Sequence, residues 1–471
     1  MAFCPLFLFC IQKKANLYRS RVVIIPLGDD FRYQDSQEAE TQYTNFQKIF
    51  DYLNRNVPGV RAQFGTLSNY FEAVNATIAT PIPILKGSFF TYADRNEDYW
   101  SGYFTSRVFD KALGRRLERS LYAAAVMGAT KQDMQGPRRS LSLFQHHDGV
   151  TGTAKSFVVE DYASKLQISI IKVHQWMAKT VGSLQKTPVK NLLSCFQSES
   201  TPRSVYNFKC DSSLPLYAFN PLSEEQYCGD TVVPGLSTTQ IAKFPCDSPG
   251  PITDDNSLIR FGSNGMMIYP IQEEWNVWHV QQGGAYLFFP DTKLPYSLDN
   301  VIIERNGYSV KTSHWSRNVT KKRIHGYDGE NVTVLDFEYE TNLVFGNQEW
   351  FVRMKAPINN KGIFHTVRFL ICDVSFYFSQ SIIIMSGMIQ DLNGFNFDTH
   401  YFRKDLPIQS QVFPMPTLAS IEDTTYRLTI LSEHAQGTAH LENGAIDIWL
   451  DRRLQQDDNR GLGEVSLLEV S

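Results

Sequence analysis

The sequence predicts a multi-domain α+β chain: a parallel α/β portion first, a helical bundle of the three-helix type second, and an antiparallel β-sandwich last. Three observations predict it. A non-alternating β-branched run stands near the start, helical periodicity runs from Val108 to about Lys186, and from about Ser200 onward Pro, Gly and Asn punctuate short apolar runs. The 471 residues suit about three domains at roughly 150 residues each. The expected divisions are 1–107, 108–190 and 200–471. With 42% hydrophobic and 20% charged residues, the composition is that of a globular protein and not of a disordered or collagen-like chain. The net charge of −4 argues against a nucleic-acid binder, which would show a basic face. No stretch reaches eighteen uncharged apolar residues, so no spanning helix is expected, and Met1–Ile11 lacks the charged start of a signal peptide.

The run Arg21–Leu27 (RVVIIPL) does not alternate and reads as a strand covered on both faces. It ends at Gly28-Asp29-Asp30-Phe31-Arg32, and the C-terminal end of a buried parallel strand is where α/β proteins place their chemistry. A helix is expected from about Ser36 to Asn54, with Tyr43, Phe46, Phe50 and Leu53 on one stripe. Val60–Phe64 reads as a second short strand, and Thr66 or Ser68 opens another helix. In the bundle, Leu166, Ile170, Val173, Met177 and Val181 form a seam, while Gly114 and Gly128 would weaken the preceding helix by about 1 kcal/mol each inside it. Runs such as Ala285–Phe289 and Val332–Phe337 carry the β texture.

Seven cysteines include no CxxC pair, which rules out a zinc ribbon. Cys195, Cys210, Cys228 and Cys246 could form two disulfides, with three connectivities open, or stay as buried thiols. Sequons at Asn75, Asn318 and Asn331 fit a luminal protein.

Three clusters carry candidate chemistry. Asp29 and Asp30 would point to opposite sides of an extended segment, with Arg32 on the side of Asp30, holding its charge; the bland alternative is a solvated turn with a capping Asp. His146-His147-Asp148 precedes a Gly-Val-Thr-Gly-Thr turn. Adjacent imidazoles do not easily face one metal, so one His would ligate while Asp148 serves another partner; the bland alternative is a helix-cap region. Gly87–Arg107 is dense in aromatics, Asp and Arg, which suit the CH faces and hydroxyl edges of a sugar, or a wet aromatic loop.

Taken together, IPLGDDFRY (25–33), QFGTL (63–67), the 89–107 segment, LFQHHDGVTGTAK (143–155), GAYLFF (284–289) and DRRLQQDDNRGLG (451–463) resemble the retaining α-mannosidases of the Golgi mannosidase II type. The resemblance implies that residues 1–107 are a remnant of an α/β catalytic domain. It implies that Asp30 is the general acid/base, that Asp29, Arg32, Asp94, Arg95 and Trp100 line the substrate groove, that Asp148 bonds mannose hydroxyls, and that His147 ligates zinc. It implies an N-linked oligosaccharide as substrate and the Golgi lumen as location.

Such chemistry needs a second carboxylate about 5–5.5 Å from the acid. In the family it and a zinc-binding His-x-Asp motif precede the strand at 21–27, but Met1–Ser20 contains no Asp, Glu or His. The expectation is therefore a fragment, truncated at both ends, with one zinc ligand and no activity of its own. The alternatives are a non-catalytic carbohydrate-binding pseudo-enzyme module and an artefact of a longer gene. Two further departures stand out. Phe413 sits where relatives carry a sugar-bonding Tyr. The segment 367–390 has no family counterpart and reads as translated non-coding sequence, as does Met1 to about Phe9, or as a β-hairpin insertion.

Overall fold

A computed structural model describes residues 3–85, 88–184, 216–228, 231–241, 260–261, 267–269, 271–298, 302–306, 309–325, 331–343, 346–367, 375–379 and 397–464. The chain divides into two compact units, Met1–Lys86 and Gly87–Ser471.

Unit 1 contains α1 (Phe3–Ala15), α2 (Ser36–Asn56) and α3 (Leu67–Thr77). Asp35 caps α2 by accepting from the Glu38 amide at 2.7 Å, and Thr66 with Asn69 forms a capping box on α3. Phe50 and Leu53 of α2 and Val74 of α3 are buried, and Phe64 meets Tyr43 and Phe50 at ring distances of 5.0 and 4.9 Å. The expected parallel strands do not form: among the described residues of unit 1 there is no strand, and 22–29 carries no ladder. β-branched sequence alone does not make a sheet, because each strand needs a neighbour to take its N–H and C=O groups.

Unit 2 begins with a segment that the sequence reading assigned to the α/β portion. Residues 88–107 belong with the β region because buried hydrogen bonds tie them there: Ser106 donates to the Ala285 carbonyl at 2.7 Å and the Gly437 amide donates to Thr105 Oγ1 at 3.0 Å.

The bundle follows as α4 (Val108–Val126), α5 (Gln135–Phe144) and α6 (Ser156–Leu184). Leu113, Leu117 and Leu121 of α4, Phe144 of α5, and Leu166, Ile170 and Val173 of α6 share one core. Gly114 lies inside α4, where a Cβ would fall 2.7 Å from the Phe144 ring, so close helix packing sets that position. Gly128 instead lies past the end of α4 with φ +95°, a conformation that favours glycine.

The β region consists of two principal antiparallel sheets. Strands Val412–Met415, Gln436–Ala439, Ala445–Arg453, Gln348–Lys355, Gln272–Gly283 and Phe288–Pro290 lie in that order in one, with Tyr296–Ser297 also paired to Gln272–Gly283. The other runs Ile302–Asn306, Ser309–Thr312, Trp315–His325, Asn331–Thr341, Ser375–Ser379, Arg427–Leu431, Leu418–Glu422, Ile363–Val367 and Phe397–Tyr401. Trp275, Trp350, Val352 and Ile448 of the first sheet join Trp315, Phe337, Ile421 and Ile430 of the second in one core. Alternation sends Trp278, Phe351 and Trp449 to the opposite face of the first sheet, where Phe104 covers them.

Within 367–390, Ser375–Ser379 has ladders on both sides, to Asn331–Thr341 and Arg427–Leu431; 368–374 and 380–390 lie outside the described residues. Of the four clustered cysteines, Cys195, Cys210 and Cys246 lie outside them as well, and Cys228 is described only as strand backbone. Among the described residues, no helix is long and apolar enough to cross a membrane.

Candidate functional site

The site in unit 2 is built around Arg452. Its buried guanidinium donates to Ser106 Oγ at 2.9 Å, the Ala285 carbonyl at 3.2 Å and the Leu287 carbonyl at 2.9 Å, and it pairs with the buried carboxylate of Glu349. One cation therefore pins the 102–107 turn and the 285–287 loop onto the first sheet. Gly102 packs against it so closely that a Cβ would fall 2.3 Å from Arg452 Nη1. Asp458 adds a second clamp, accepting from the Tyr286 and Leu287 amides at 2.8 and 3.0 Å. The turn after α5 docks on the same scaffold: Arg107 donates to the Gly152 carbonyl at 3.3 Å, and a Cβ on Gly152 would fall 2.4 Å from the Ser106 carbonyl oxygen.

On this frame Tyr286 joins two groups that lie far apart in sequence. Its ring stands edge-on to Trp100 with centroids 5.0 Å apart, and its hydroxyl lies 3.5 Å from Asp148 Oδ1. Asp148 Oδ1 also accepts from Thr153 Oγ1 at 2.9 Å. Trp100 donates its indole N–H to Asp94 Oδ1 at 3.0 Å. Asp94 also meets Arg460 at 3.2 Å and Arg95 at 3.3 Å, while Arg460 pairs with Asp98. Burial pushes the Asp94 carboxyl up, but the Trp100 hydrogen bond and the Arg460 and Arg95 charges outweigh it and hold the group below the usual carboxylate range. Burial, with the Asp148 and Asp458 charges, raises the Tyr286 phenol against the opposing effect of its bond to Thr153.

The structure thus brings Asp94, Arg95, Trp100 and Asp148 into one connected group. Sequence reasoning missed Tyr286, Asp458 and Arg460 as members of it, although GAYLFF and DRRLQQDDNRGLG had marked their segments. Phe413 is placed differently. It stacks on His400 with centroids 3.7 Å apart and packs against the sandwich core.

The Asp29, Asp30 and Arg32 group lies in unit 1, exposed in a tight turn. The Asp30 amide donates to Asp29 Oδ1 at 2.9 Å. Arg32 does not hold the charge of Asp30 as expected; its Nε donates to Glu38 Oε1 at 2.5 Å. Positive φ at Phe31 and Tyr33 (both 59°) breaks the extended geometry that the two-residue alternation assumed.

His147 lies beside two further donors: the ligand atoms of His146, His147 and Asp148 all lie within 4.8 Å of one another. The imidazole centroids are 4.1 Å apart, and His146 Nε2 is 3.1 Å from Asp148 Oδ2. A turn, rather than an extended strand or helix face, lets neighbouring side chains converge. Two imidazoles and a carboxylate fit the chemistry of a zinc site that keeps an open position.

The glycosyl hydrolases family 38 N-terminal domain matches residues 6–95, the alpha mannosidase middle domain 98–184, and the glycosyl hydrolases family 38 C-terminal domain 253–460. The chain belongs to glycosyl hydrolase family 38. It is 29% identical to alpha-mannosidase 2 of Arabidopsis thaliana over 602 aligned positions, covering 96% of this chain and 49% of that protein. Alpha-mannosidase 2 of Rattus norvegicus is 28% identical with the same coverages. The chain therefore spans about half the length of these family 38 relatives. The 602 aligned positions exceed its 471 residues, so the relatives carry internal segments without a counterpart here. A crystal structure of an α-mannosidase from Enterococcus faecalis is similar at a TM-score of 0.47, with 13% identity over 89% of this chain and 59% of that one.

Proposed function

We propose that this family 38 chain recognises α-mannosidic sugars of N-linked glycans through the Asp94, Trp100, Tyr286 and Asp148 group, and that it does not hydrolyse them by itself. The observation that carries the reading is the Trp100–Tyr286 aromatic pair flanked by Asp94 and Asp148. Aromatic rings take the CH face of a pyranose while carboxylates take its hydroxyl edges. Asp148 would accept from ring hydroxyls with an orientation held by Thr153, and Arg460 would keep Asp94 ionised as an acceptor.

Asp30 remains the proposed general acid/base by family resemblance, with Asp29 beside it in unit 1. Retaining hydrolysis also requires a nucleophilic carboxylate about 5–5.5 Å from the acid, and the family resemblance matches none in this sequence. Arg32 and Phe413 are left out of the reading because their contacts go to Glu38 and His400. Zinc, the metal typical of the family, supplies Lewis-acid polarisation of a sugar oxygen when bound. The reading extends to the Golgi lumen, supported by the exposed sequon residues Asn75 and Asn318.

Calorimetric titration of the purified chain with a mannose trisaccharide is expected to show binding that Trp100→Ala and Asp148→Asn abolish. Mannose release from a high-mannose-derived glycan, with zinc added, is expected to stay at background. Absence of wild-type binding would remove the recognition reading; turnover would remove the claim of no hydrolysis.

A further inference from the structure

We propose that Glu464 is a positioning residue for the sugar-binding group: by holding the start of α6 it closes residues 458–464 into a strap that fixes the Asp148 turn against the Trp100–Tyr286 pair. This role rests on the sugar reading; the strap itself does not. A helix leaves its first amides without partners, and a side-chain acceptor on the preceding residue ordinarily takes one of them. α6 has no such acceptor of its own. Lys155 stands at its start, its carbonyl taking the Val158 and Val159 amides at 2.9 and 3.0 Å, and the first turn holds no acidic residue. A lysine there also faces the positive end of the helix dipole. Glu464 Oε2, 308 positions away, supplies what is missing: it accepts from the Ser156 amide and from the Ser156 hydroxyl at 2.9 Å each.

The strap touches each segment of the group in turn. Asp458 accepts from the Tyr286 and Leu287 amides. Arg460 pairs with Asp94 and Asp98. Leu462 is buried among Ala285, Tyr286 and Leu287, and Trp100 packs on the same cluster. Gly461 and Gly463 take φ of +116° and +64°, a region that favours glycine, and so turn the chain between these contacts. Glu464 ends the strap on Ser156, three residues beyond the Thr153 that orients the Asp148 carboxylate. The direct contact it backs, from the Tyr286 hydroxyl to Asp148 Oδ1, is 3.5 Å long and weak by itself. The Ser156 hydrogen bonds, the backbone one first, hold the Glu464 carboxyl below its ordinary range, so it serves as a charged acceptor at neutral pH.

Two measurements on the full chain test the role: calorimetric titration with the mannose trisaccharide, and amide hydrogen exchange read by mass spectrometry, which needs no sugar. Glu464→Ala is expected to lower Tm, to weaken mannoside binding by about 2-fold or more, the lower end of coupling between groups in contact, and to raise exchange across 146–155 and 285–290. Glu464→Gln keeps an acceptor oxygen and should retain most of the affinity. Lys155→Asp added to Glu464→Ala gives α6 a local cap, so Tm should recover while affinity and the exchange at 285–290 stay at the Glu464→Ala values. Circular dichroism confirms that each variant is folded. Wild-type affinity or wild-type exchange at 285–290 in Glu464→Ala would overturn the inference. So would recovery of both along with Tm in the double variant, which would make Glu464 a helix cap and nothing more. A wild-type chain that binds no trisaccharide removes the sugar reading instead, and the exchange data then decide the strap.

Discussion

The phenol of Tyr286 stands 3.5 Å from Asp148 Oδ1 while its ring meets Trp100 edge-on, so one side chain links the turn after α5 to the aromatic segment before α4. Asp458 holds the same residue by its amide, which makes the link independent of the phenol. Tyr286 therefore tests the sugar reading without dismantling its frame. Tyr286→Phe keeps the ring and loses the hydroxyl. A single intramolecular hydrogen bond contributes about 0.5–1.5 kcal/mol to stability, so a small fall in Tm is expected, with mannoside affinity by calorimetry falling as Asp148 loses its partner.

Arg452 is expected to matter for stability more than for binding chemistry. Burial raises the Glu349 carboxyl against the lowering effects of Arg452 and of the Trp449 hydrogen bond. Arg452→Leu leaves that carboxylate buried without its partner and frees two loops. Breaking a buried pair in this way costs about 3–5 kcal/mol. Urea denaturation should show that loss, and Glu349→Leu in the same chain should recover part of it.

Gly114 sets two effects against each other. Alanine would add about 1 kcal/mol of helix propensity. Its Cβ would lie 2.7 and 2.9 Å from two ring carbons of Phe144, which is 1% exposed and has no room to move. Overpacking costs about 1–3 kcal/mol, so Gly114→Ala is expected to lower Tm. Phe144→Leu combined with it should cost less than the two changes separately.

His174 gives α6 a pH dependence. Burial, aided by the Arg116 charge, lowers its pKa from 6.5 to about 4, and its Nε2 lies 2.8 Å from Ser120 Oγ. Below pH 6.5 the unfolded chain takes up a proton that the folded chain refuses until about pH 4. Stability is therefore expected to fall as pH is lowered through that window, by on the order of 3 kcal/mol from this residue. His434, lowered to about 4 mainly by burial, acts in the same direction. Melting curves between pH 7 and 4 should show a shallower slope for His174→Gln than for the wild type.

Much of the architecture was legible in residue order. The stripe Tyr43, Phe46, Phe50, Leu53 marked α2, the seam from Leu166 to Val181 marked α6, and Thr66 marked the start of α3, because caps and helical spacing act within a few residues. The strands expected at 21–27 and 60–64 were misread, because a ladder depends on partners that local pattern does not specify.

By itself, the sequence determined the family resemblance, the order of the helical bundle before the antiparallel β region, and the residue types that suit a sugar and a metal. Those are properties of local runs and motifs. Only the tertiary structure decided that Asp94, Trp100, Tyr286, Asp148 and Arg460 meet, that Arg32 turns to Glu38, and that His146 and Asp148 converge on His147. Arg452 spans loops more than 160 positions away in the chain. The contacts of Arg32 and of His147 arise from local turns, whereas those of Tyr286, Arg460 and Arg452 arise from hydrogen bonds and ion pairs between distant segments, of which sequence spacing carries no record.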